Sequence, residues 1–162
     1  MDRARKAAEQ WAREKPHLDI GPMVLLGRLA EAALVISRDR LNPVFAEFGL
    51  QPGEFDVLAT LRRSGAPYAV TPTRLYEAAM ISSGSMTNRL NRLEEAGLVK
   101  RQPNPGDRRG TLVALTPEGL ALIETAVDIH VANLHAILSG LTEREQDQLS
   151  DLLEKLLASQ GA

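Results

Sequence analysis

Residues 97–119 contain the pattern that most constrains the fold, a short basic hairpin that follows a helix. The tip, 105–110, combines proline and glycine, which favour a chain reversal, with Arg108 and Arg109. The segments on either side are apolar or β-branched and are predicted to pair as strands: Leu98-Val99 and Leu112-Val113-Ala114-Leu115. Two guanidinium groups at the end of a stiff ribbon are placed to reach an anion, and a DNA backbone is one such anion.

The composition is that of a globular protein. The 162 residues, 44% hydrophobic and 25% charged, suffice for one domain with a sizeable core. No run approaches the ~18 apolar residues of a membrane span, and no apolar segment follows the charged N-terminus as it does in a secretory signal. We therefore expect a cytoplasmic protein without membrane contact. The absence of cysteine excludes disulfides, thiolate metal sites and cysteine-based redox sensing.

Charge is distributed unevenly along the chain. The formal net charge of −2 is lower than a nucleic-acid-binding protein usually carries. However, residues 71–110 hold seven Lys/Arg against four Asp/Glu, a net of +3, whereas residues 117–162 hold two against eight, a net of −6. We expect the middle of the chain to present the anion-binding face. The alternative is that these charges only solvate the surface.

Helical periodicity and capping signals surround the hairpin. We predict helices over these segments: 2–14, 21–48, 52–63, a short helix opened by Thr71-Pro72, a helix from Ser82 or Ser83 to Gly97, 117–140, and a last helix opened by a capping box at Thr142. Pro43 is expected to kink or break the second of them, because proline removes a backbone donor. The fourth and fifth helices are spaced as in a helix-turn-helix. The predicted fold class is therefore mainly α with a small β-hairpin wing, an α+β winged helix-turn-helix with further helices at both ends.

The second helix of the helix-turn-helix has two distinct faces. A rotation of ~100° per residue places Met86, Leu90 and Leu93 on one buried stripe. The opposite half carries polar side chains: Ser85, Asn88, Asn91 and Arg92. Amides and guanidinium groups read adenine and guanine edges in the major groove, and Ser83 and Ser85 suit phosphate contacts near a helix N-terminus. Thr73 and Arg74 complete the predicted DNA-binding set on the first helix. Alone, this pattern would equally fit an ordinary polar helix face.

The order of these features resembles the MarR (multiple antibiotic resistance regulator) family. The motifs are Gly97-Leu-Val-Lys-Arg101, Asp107-Arg-Arg109 and Leu115-Thr-Pro-Glu-Gly119 after the helix-turn-helix. The resemblance covers essentially the whole chain and implies one domain. Within it, 51–116 would form the DNA-binding lobe, and 1–50 with 117–162 a helical dimerisation lobe.

The resemblance also implies a function. Members of the family are homodimers that bind pseudo-palindromic double-stranded DNA. This protein is accordingly expected to be a repressor. Arg109 would enter the minor groove beside Arg108, and Asp107 would hold the Arg109 guanidinium in place. Gln51 departs from the family pattern, which often has a better N-cap such as threonine there.

A narrower resemblance concerns a ligand. The additional N-terminal helix with Trp11 is similar to the urate-responsive, PecS-like branch, which implies an effector site of four residues: Trp11, Asp56, Arg89 and Arg101. Helix geometry independently places Arg89 about 60° from the buried stripe, where an arginine needs an anionic or π partner. An indole offers an N–H and a flat face to a planar heterocycle. A planar anion such as urate or xanthine is the first interpretation.

Alternatives to the purine site remain open. One alternative is that the ligand is a phenolic or aromatic acid. Another is that the protein has no specific ligand. In that last case Trp11 only packs, Asp56 complements a helix dipole, and Arg101 contacts phosphate. A winged helix used for protein contact, without DNA binding, is a further alternative.

Catalysis and metal binding are not expected. No glycine-rich phosphate loop follows a strand and no Ser/His/Asp arrangement is visible, so we predict neither an enzyme nor a cofactor. His130 and His135 lie five residues apart, which does not bring two imidazoles together on a helix. His17 is expected at the surface.

Overall fold

The computed structural model describes residues 2–79 and 86–161, and for Arg108 and Arg109 the backbone only. The chain divides into two compact units, Met1–Val44 and Phe45–Ala162. The fold class is the predicted one, mostly helical with a small three-stranded antiparallel sheet. The assignment of 1–50 and 117–162 to a common dimerisation lobe stays a prediction.

The first unit is built on a pair of helices, α1 (Arg3–Glu14) and α2 (Gly21–Val35). The Asp2 carboxylate caps α1 by accepting from the Arg5 backbone N–H, and it also pairs with Arg28 of α2 at 2.5 Å. At Gly27 the helices are so close that an added Cβ would lie 2.8 Å from the Cβ of Ala4. The first unit therefore combines an ion pair with close backbone packing. His17, in the turn after α1, is exposed as predicted.

Pro43 changes the helix that contains it without ending it. After α2 the chain forms a π-helical turn, Ile36–Leu41, and then α3 (Asn42–Glu47). The Asn42 N–H donates to the carbonyl of Ser37, five residues back. Proline has no N–H and its ring clashes with the carbonyl four residues earlier, and the wider π turn accommodates both effects. The predicted break is thus a shift in hydrogen-bond register.

Helix α4 (Glu54–Arg63) begins two residues later than predicted. Pro52 lies in the preceding turn, and Gly53 adopts φ +82°, which favours glycine. The Glu54 carboxylate accepts from the Gln51 N–H at 2.7 Å and so ties the preceding turn to the helix, while the N-cap residue, Gly53, makes no side-chain capping hydrogen bond. The apolar residues of this helix are buried: Phe55, Val57, Leu58 and Leu61.

The helix-turn-helix consists of α5 (Pro72–Ala78) and α6 (Met86–Glu95). Thr71 caps α5 as predicted, accepting from the Arg74 N–H. The expected start of α6 at Ser82 or Ser83 lies outside the described residues. Its end is confirmed: Gly97 has φ +72°, and the Leu98 N–H donates to the Leu93 carbonyl at 2.9 Å.

Three antiparallel strands form the sheet in the order β1-β3-β2: β1 (Ala69–Val70), β2 (Val99–Asn104) and β3 (Asp107–Leu115). The β2–β3 pairing runs from Val99–Leu115 to Pro103–Thr111 and then jumps to Asn104–Asp107. Residues 108–110 are therefore extra on β3 and form a bulge. The reversal itself needs only two residues, so the two tip arginines lie in the bulge and not in the turn.

Helix α7 (Pro117–Leu138) begins against the turn that follows α6. Thr116 accepts from the Gly119 N–H and donates its hydroxyl to the Gly97 carbonyl at 2.6 Å. A Cβ on Gly119 would lie 1.9 Å from the Leu98 carbonyl oxygen, so only glycine fits there. The motif Leu115–Gly119 thus has a structural reason, the close approach of α7 to the winged helix.

One described helix departs from the expectation that nothing in the chain is apolar enough to cross a membrane. By length and composition an 18-residue stretch of α7 passes that test, with a mean hydropathy of 1.3, and 11% of the stretch is buried. One such helix is weak evidence for a membrane span. Residues Ile123 and Ala126 of α7 are buried, and the helix packs on α4 and β3. The last helix, α8 (Glu143–Ser159), opens with the predicted capping box at Thr142 but leaves its leucines largely exposed.

Candidate functional site

The predicted DNA-binding face of α6 is exposed where the structure describes it. Of the predicted buried stripe, Leu90 and Leu93 are buried and Met86 is only half-buried. Asn88 and Arg92 lie on the exposed side. On α5, Thr73 and Arg74 are exposed as well. Ser83 and Ser85 lie outside the described residues. The face therefore offers an amide and a guanidinium group to a partner in solution.

Arg92 is held by a buried carboxylate that the sequence did not reveal. Its Nε lies 2.8 Å from Oε1 of Glu54, whose residue is only 2% exposed, whereas the Arg92 side chain is 48% exposed. The other carboxylate oxygen of Glu54 accepts from the Gln51 N–H. The first turn of α4 is thereby linked to α6 across 38 residues of sequence.

Arg89 contacts the same turn. Its Nε donates to the Pro52 carbonyl at 3.3 Å, and a Cβ on Gly53 would lie 2.7 Å from that nitrogen. The glycine therefore gives Arg89 the room to approach. A cleft of about 370 Å³ is lined here by six residues: Gln51, Pro52, Glu54, Asn88, Arg89 and Arg92. It brings together residues predicted for DNA and one predicted for a ligand.

Arg101 lies at the other end of α6. Its backbone N–H donates to Glu94 Oε1 at 3.0 Å, and its guanidinium group pairs with the same carboxylate. A second guanidinium nitrogen donates to Asn91 Oδ1 at 2.7 Å. Arg101 thus connects strand β2 to α6. Its role toward a ligand stays a prediction.

Asp56, on the first turn of α4, is half-buried. Burial raises the pKa of its carboxyl group, while the charges of His130, Arg63 and Arg89 act to lower that pKa. Arg89 and Asp56 therefore interact electrostatically, although the structure places the Arg89 Nε on Pro52. A desolvated carboxylate near several cations is common at binding sites.

His130 of α7 belongs to the same neighbourhood. Its ring centroid lies 5.3 Å from that of Phe45 and 4.7 Å from that of Phe55, and the two phenyl rings stack on each other. Among the described residues, its Nδ1 is the buried side-chain polar atom that has no hydrogen-bond partner. Burial lowers the pKa of the imidazole, and the Asp56 charge acts to raise it.

Trp11 lies on α1 in the first unit, with 46% of its surface exposed. The indole is therefore not a core residue of that unit, and both the ligand role of Trp11 and the packing alternative stay predictions. At the wing tip, Asp107 is exposed. The side chains of Arg108 and Arg109 lie outside the description, so the predicted contact between Asp107 and Arg109 stays a prediction.

Two residues of this region were missed from the sequence, Glu54 and His130. The spacing of Gln51 and Glu54 is that of a capping interaction and could have identified the first. Its burial could not be predicted, because that depends on Arg92 far along the chain. From the sequence, His130 is a candidate only for metal binding, and its spacing from His135 argues against that role. Within residues 2–79 and 86–161, no group of three His, Asp or Glu side chains could hold a metal ion.

Comparisons with known proteins agree with this geometry. A model described as MarR family matches residues 48–110. The HTH-type transcriptional regulator PecS of Dickeya dadantii (strain 3937) is 46% identical over 148 residues, 91% of this chain and 89% of PecS. A mutant of MarR from Escherichia coli, complexed with operator DNA, is similar with a TM-score of 0.72 and 29% identity, covering 91% of this chain and 97% of that one. BpsR of Bordetella bronchiseptica, whose DNA binding is regulated by 6-hydroxynicotinic acid, gives a TM-score of 0.70 at 28% identity, covering 80% and 91%.

Proposed function

The chain belongs to the MarR family of DNA-binding transcriptional regulators, and from this premise we propose that it is a homodimeric repressor of pseudo-palindromic operators. A small planar anion such as urate or xanthine would release it from DNA. Proteins of this family regulate transcription and are not enzymes. We place it in the cytoplasm, because a repressor must share a compartment with its operator.

One observation carries the DNA-binding proposal: an exposed face of α6 bearing Asn88 and Arg92, followed directly by a basic hairpin. Amide and guanidinium groups on a recognition helix suit base edges in the major groove. Arg109, with Asp107 beside it, is proposed for the minor groove, and Arg108 for the backbone. The remaining proposed contacts are on the helix-turn-helix: Thr73, Arg74, Ser83 and Ser85.

The dimer proposal rests on apolar side chains at the surface of the isolated chain. On α8 these are Leu149, Leu152, Leu156 and Leu157, and on α2 they are Leu25, Leu26 and Leu34. Exposed apolar patches of this kind mark interfaces. A two-fold dimer would place two recognition helices about one DNA turn apart, ~34–36 Å, which matches a pseudo-palindrome.

The ligand proposal rests on the charges around the first turn of α4. Asp56 and Arg89 interact there, and with Trp11 and Arg101 they are the proposed ligand-binding residues. A planar anion that takes Arg89 as its partner would compete with the Pro52 carbonyl and so shift α6. Release from DNA then follows from unequal ligand affinity for two states.

A second ligand class has its own support. BpsR, whose DNA binding 6-hydroxynicotinic acid regulates, shares 28% identity. Phenolic or aromatic acids are therefore the alternative effectors. A winged helix that only contacts proteins is the remaining alternative, and DNA binding itself distinguishes it.

The DNA-binding proposal is tested with a duplex selected by the wild-type protein from a randomised pool. We expect Arg109→Ala to lower its affinity strongly and wild-type binding to weaken steeply with salt. A protein that selects no duplex, or an Arg109→Ala variant with unchanged affinity and salt dependence, would contradict the proposed interface.

The ligand proposal is tested by thermal shift and by release of that duplex. Urate, xanthine, hypoxanthine and phenolic acids are compared on the wild type and on Trp11→Phe. A purine-specific shift that weakens in the variant supports the proposed site. A response to phenolic acids alone selects the alternative class, and no response to any compound rejects both.

A further inference from the structure

We propose that Glu54 is a positioning residue for DNA recognition: its buried carboxylate holds Arg92 by Nε, so that the arginine presents its terminal nitrogens to a guanine. The inference rests on the proposed placement of Arg92 in the DNA interface. The inference adds to the proposed interface a residue, Glu54, that does not itself touch DNA. It also identifies guanine as the base that Arg92 contacts.

Both oxygens of the Glu54 carboxylate are occupied. Oε2 accepts from the Gln51 N–H at 2.7 Å and Oε1 accepts from Arg92 Nε at 2.8 Å. A carboxylate that is 2% exposed is costly to desolvate, and a well-packed apolar residue often stabilises a fold equally well. Stability alone is thus a weak reason for a glutamate here, and the fixed direction of Arg92 is a stronger one.

The geometry leaves the outer edge of the guanidinium group for recognition. Arginine carries five N–H donors in a planar fork, and this ion pair uses only the one on Nε. About half of the Arg92 side chain is exposed. The two terminal nitrogens match the O6 and N7 acceptors of guanine. Because Glu54 already fixes the side chain, less conformational freedom is lost when DNA binds.

The test compares four variants with the wild type on the selected duplex, its single-base variants and a scrambled duplex of equal composition. Glu54→Gln keeps one oxygen for the Gln51 N–H but offers no second acceptor to Arg92. Arg92→Gln removes the guanidinium group, and the double variant combines both changes. Glu124→Gln is the matched control, since Glu124 pairs with Arg62 on the surface between α7 and α4.

We expect Glu54→Gln and Arg92→Gln each to bind the selected duplex about tenfold more weakly. Both should lose preference at the same G·C pair of each half-site, and the double variant should be no weaker than Arg92→Gln. Binding of Glu54→Gln to the scrambled duplex should stay within about twofold of the wild type, because the arginine charge remains. Glu124→Gln should change neither the affinity for the selected duplex nor the preference at the G·C pair. A merely structural role would alter thermal stability without altering base preference.

Two results overturn the inference in different ways. If Arg92→Gln loses the G·C preference but a folded Glu54→Gln keeps it, Arg92 acts without Glu54 and the DNA interface stands. If Arg92→Gln keeps affinity and preference, Arg92 is not in the interface and the proposed contact set fails as well. Should Glu54→Gln unfold, Arg92→Lys replaces it: lysine keeps the charge but not the fork, so an unchanged G·C preference would overturn the inference.

Discussion

The winged helix and helix α8 contain the same residue type at the same helical spacing but bury it differently. In α4 and α6 the leucines are almost inaccessible, with Leu58 at 0% exposure. In α8 the stripe of leucines faces outward, with Leu152 at 66%. The winged helix is therefore completed by packing within one chain, whereas α8 carries an apolar face that the chain by itself does not cover.

Periodicity predicts the apolar face of a helix but not what covers that face. A repeat of leucines at 3.6-residue spacing predicts which face of a helix is apolar. It does not predict whether that face packs on the same chain or on another. Substitutions in the winged helix should therefore act on stability, and substitutions on the apolar face of α8 should act on assembly.

The largest effect is expected where the winged helix meets α7. Gly119→Ala would place a Cβ 1.9 Å from the backbone oxygen of Leu98, which a rotamer change cannot relieve. We expect a loss of about 3 kcal/mol in the free energy of unfolding, measured by chemical denaturation at one fixed protein concentration.

Gly140→Ala, just before α8, is the matched control for that substitution. No atom lies within 4 Å of its Cβ position among the described residues, so the free energy should change by less than about 0.5 kcal/mol. Equal losses in the free energy of unfolding for the two variants would show that close packing is not confined to the contact between the winged helix and α7.

The next effect concerns the apolar face of α8. Leu152→Glu should leave the folded winged helix intact but shift the protein toward monomer in sedimentation equilibrium. Because one recognition helix then binds without the other, affinity for the selected duplex should fall about 100-fold. Ala158→Glu adds the same charge about 170° from the centre of the leucine stripe, at ~100° per residue. This variant should neither dissociate to monomer nor lose affinity for the duplex. A monomeric wild type would remove the basis of this comparison.

A smaller effect separates backbone strain from the contact with Arg89. Gly53 and Gly49 both have positive φ, +82° and +72°, and alanine at either should cost about 1 kcal/mol of stability. Only at position 53 would the new Cβ meet Arg89, at 2.7 Å from Nε.

Gly53→Ala should therefore change the urate or xanthine concentration that half-releases DNA by about fivefold, an energy near 1 kcal/mol. Gly49→Ala should leave that concentration unchanged. The measurement is fluorescence anisotropy of the labelled duplex during ligand titration. The same shift in both variants would point to general strain instead of Arg89.

Much of the fold was predictable from local signals in the sequence. The caps at Thr71 and Thr142 and the glycine at Gly97 act within a few residues, and the structure confirms all three. The start of α4 was predicted wrongly. Pro52 is a frequent first helical residue, but the glycine after it adopts positive φ and delays the helix to Glu54.

The candidate site was less predictable, because its contacts join distant parts of the chain. The exposed face of α6 followed from its own periodicity. The partner of Arg92 lies 38 residues earlier, and Arg101 is fastened to Glu94 and Asn91. Charged residues carry no hydropathy signal for burial, so the buried Glu54 could only be seen in three dimensions.

The last and smallest effect is a pH dependence where α7 packs on α4. Burial lowers the pKa of His130 from its ordinary 6.5, so the neutral imidazole is favoured in the folded state. Its contribution to stability is therefore present above pH 6.5 and is lost as the pH falls toward the lowered pKa. Denaturation at a series of pH values should show this loss in the wild type and not in His130→Phe, while His17→Phe, in the exposed turn after α1, should retain it.

Asp56 provides a second test of this pH dependence, because its charge acts on the pKa of His130 in the direction opposite to burial. The Asp56 charge acts to raise the pKa of His130, and Arg63 and Arg89 act on the same Asp56 carboxyl group. Asp56→Asn should thus lower the His130 pKa further and extend the loss of stability in acid to lower pH.

Burial also raises the pKa of Asp56 itself, so the contribution of this carboxyl group to stability is present below pH 3.8 and is lost as the pH rises through the raised value. Asp56→Asn should therefore be more stable than the wild type at neutral pH, and lower stability there would show that the carboxylate is well solvated or paired.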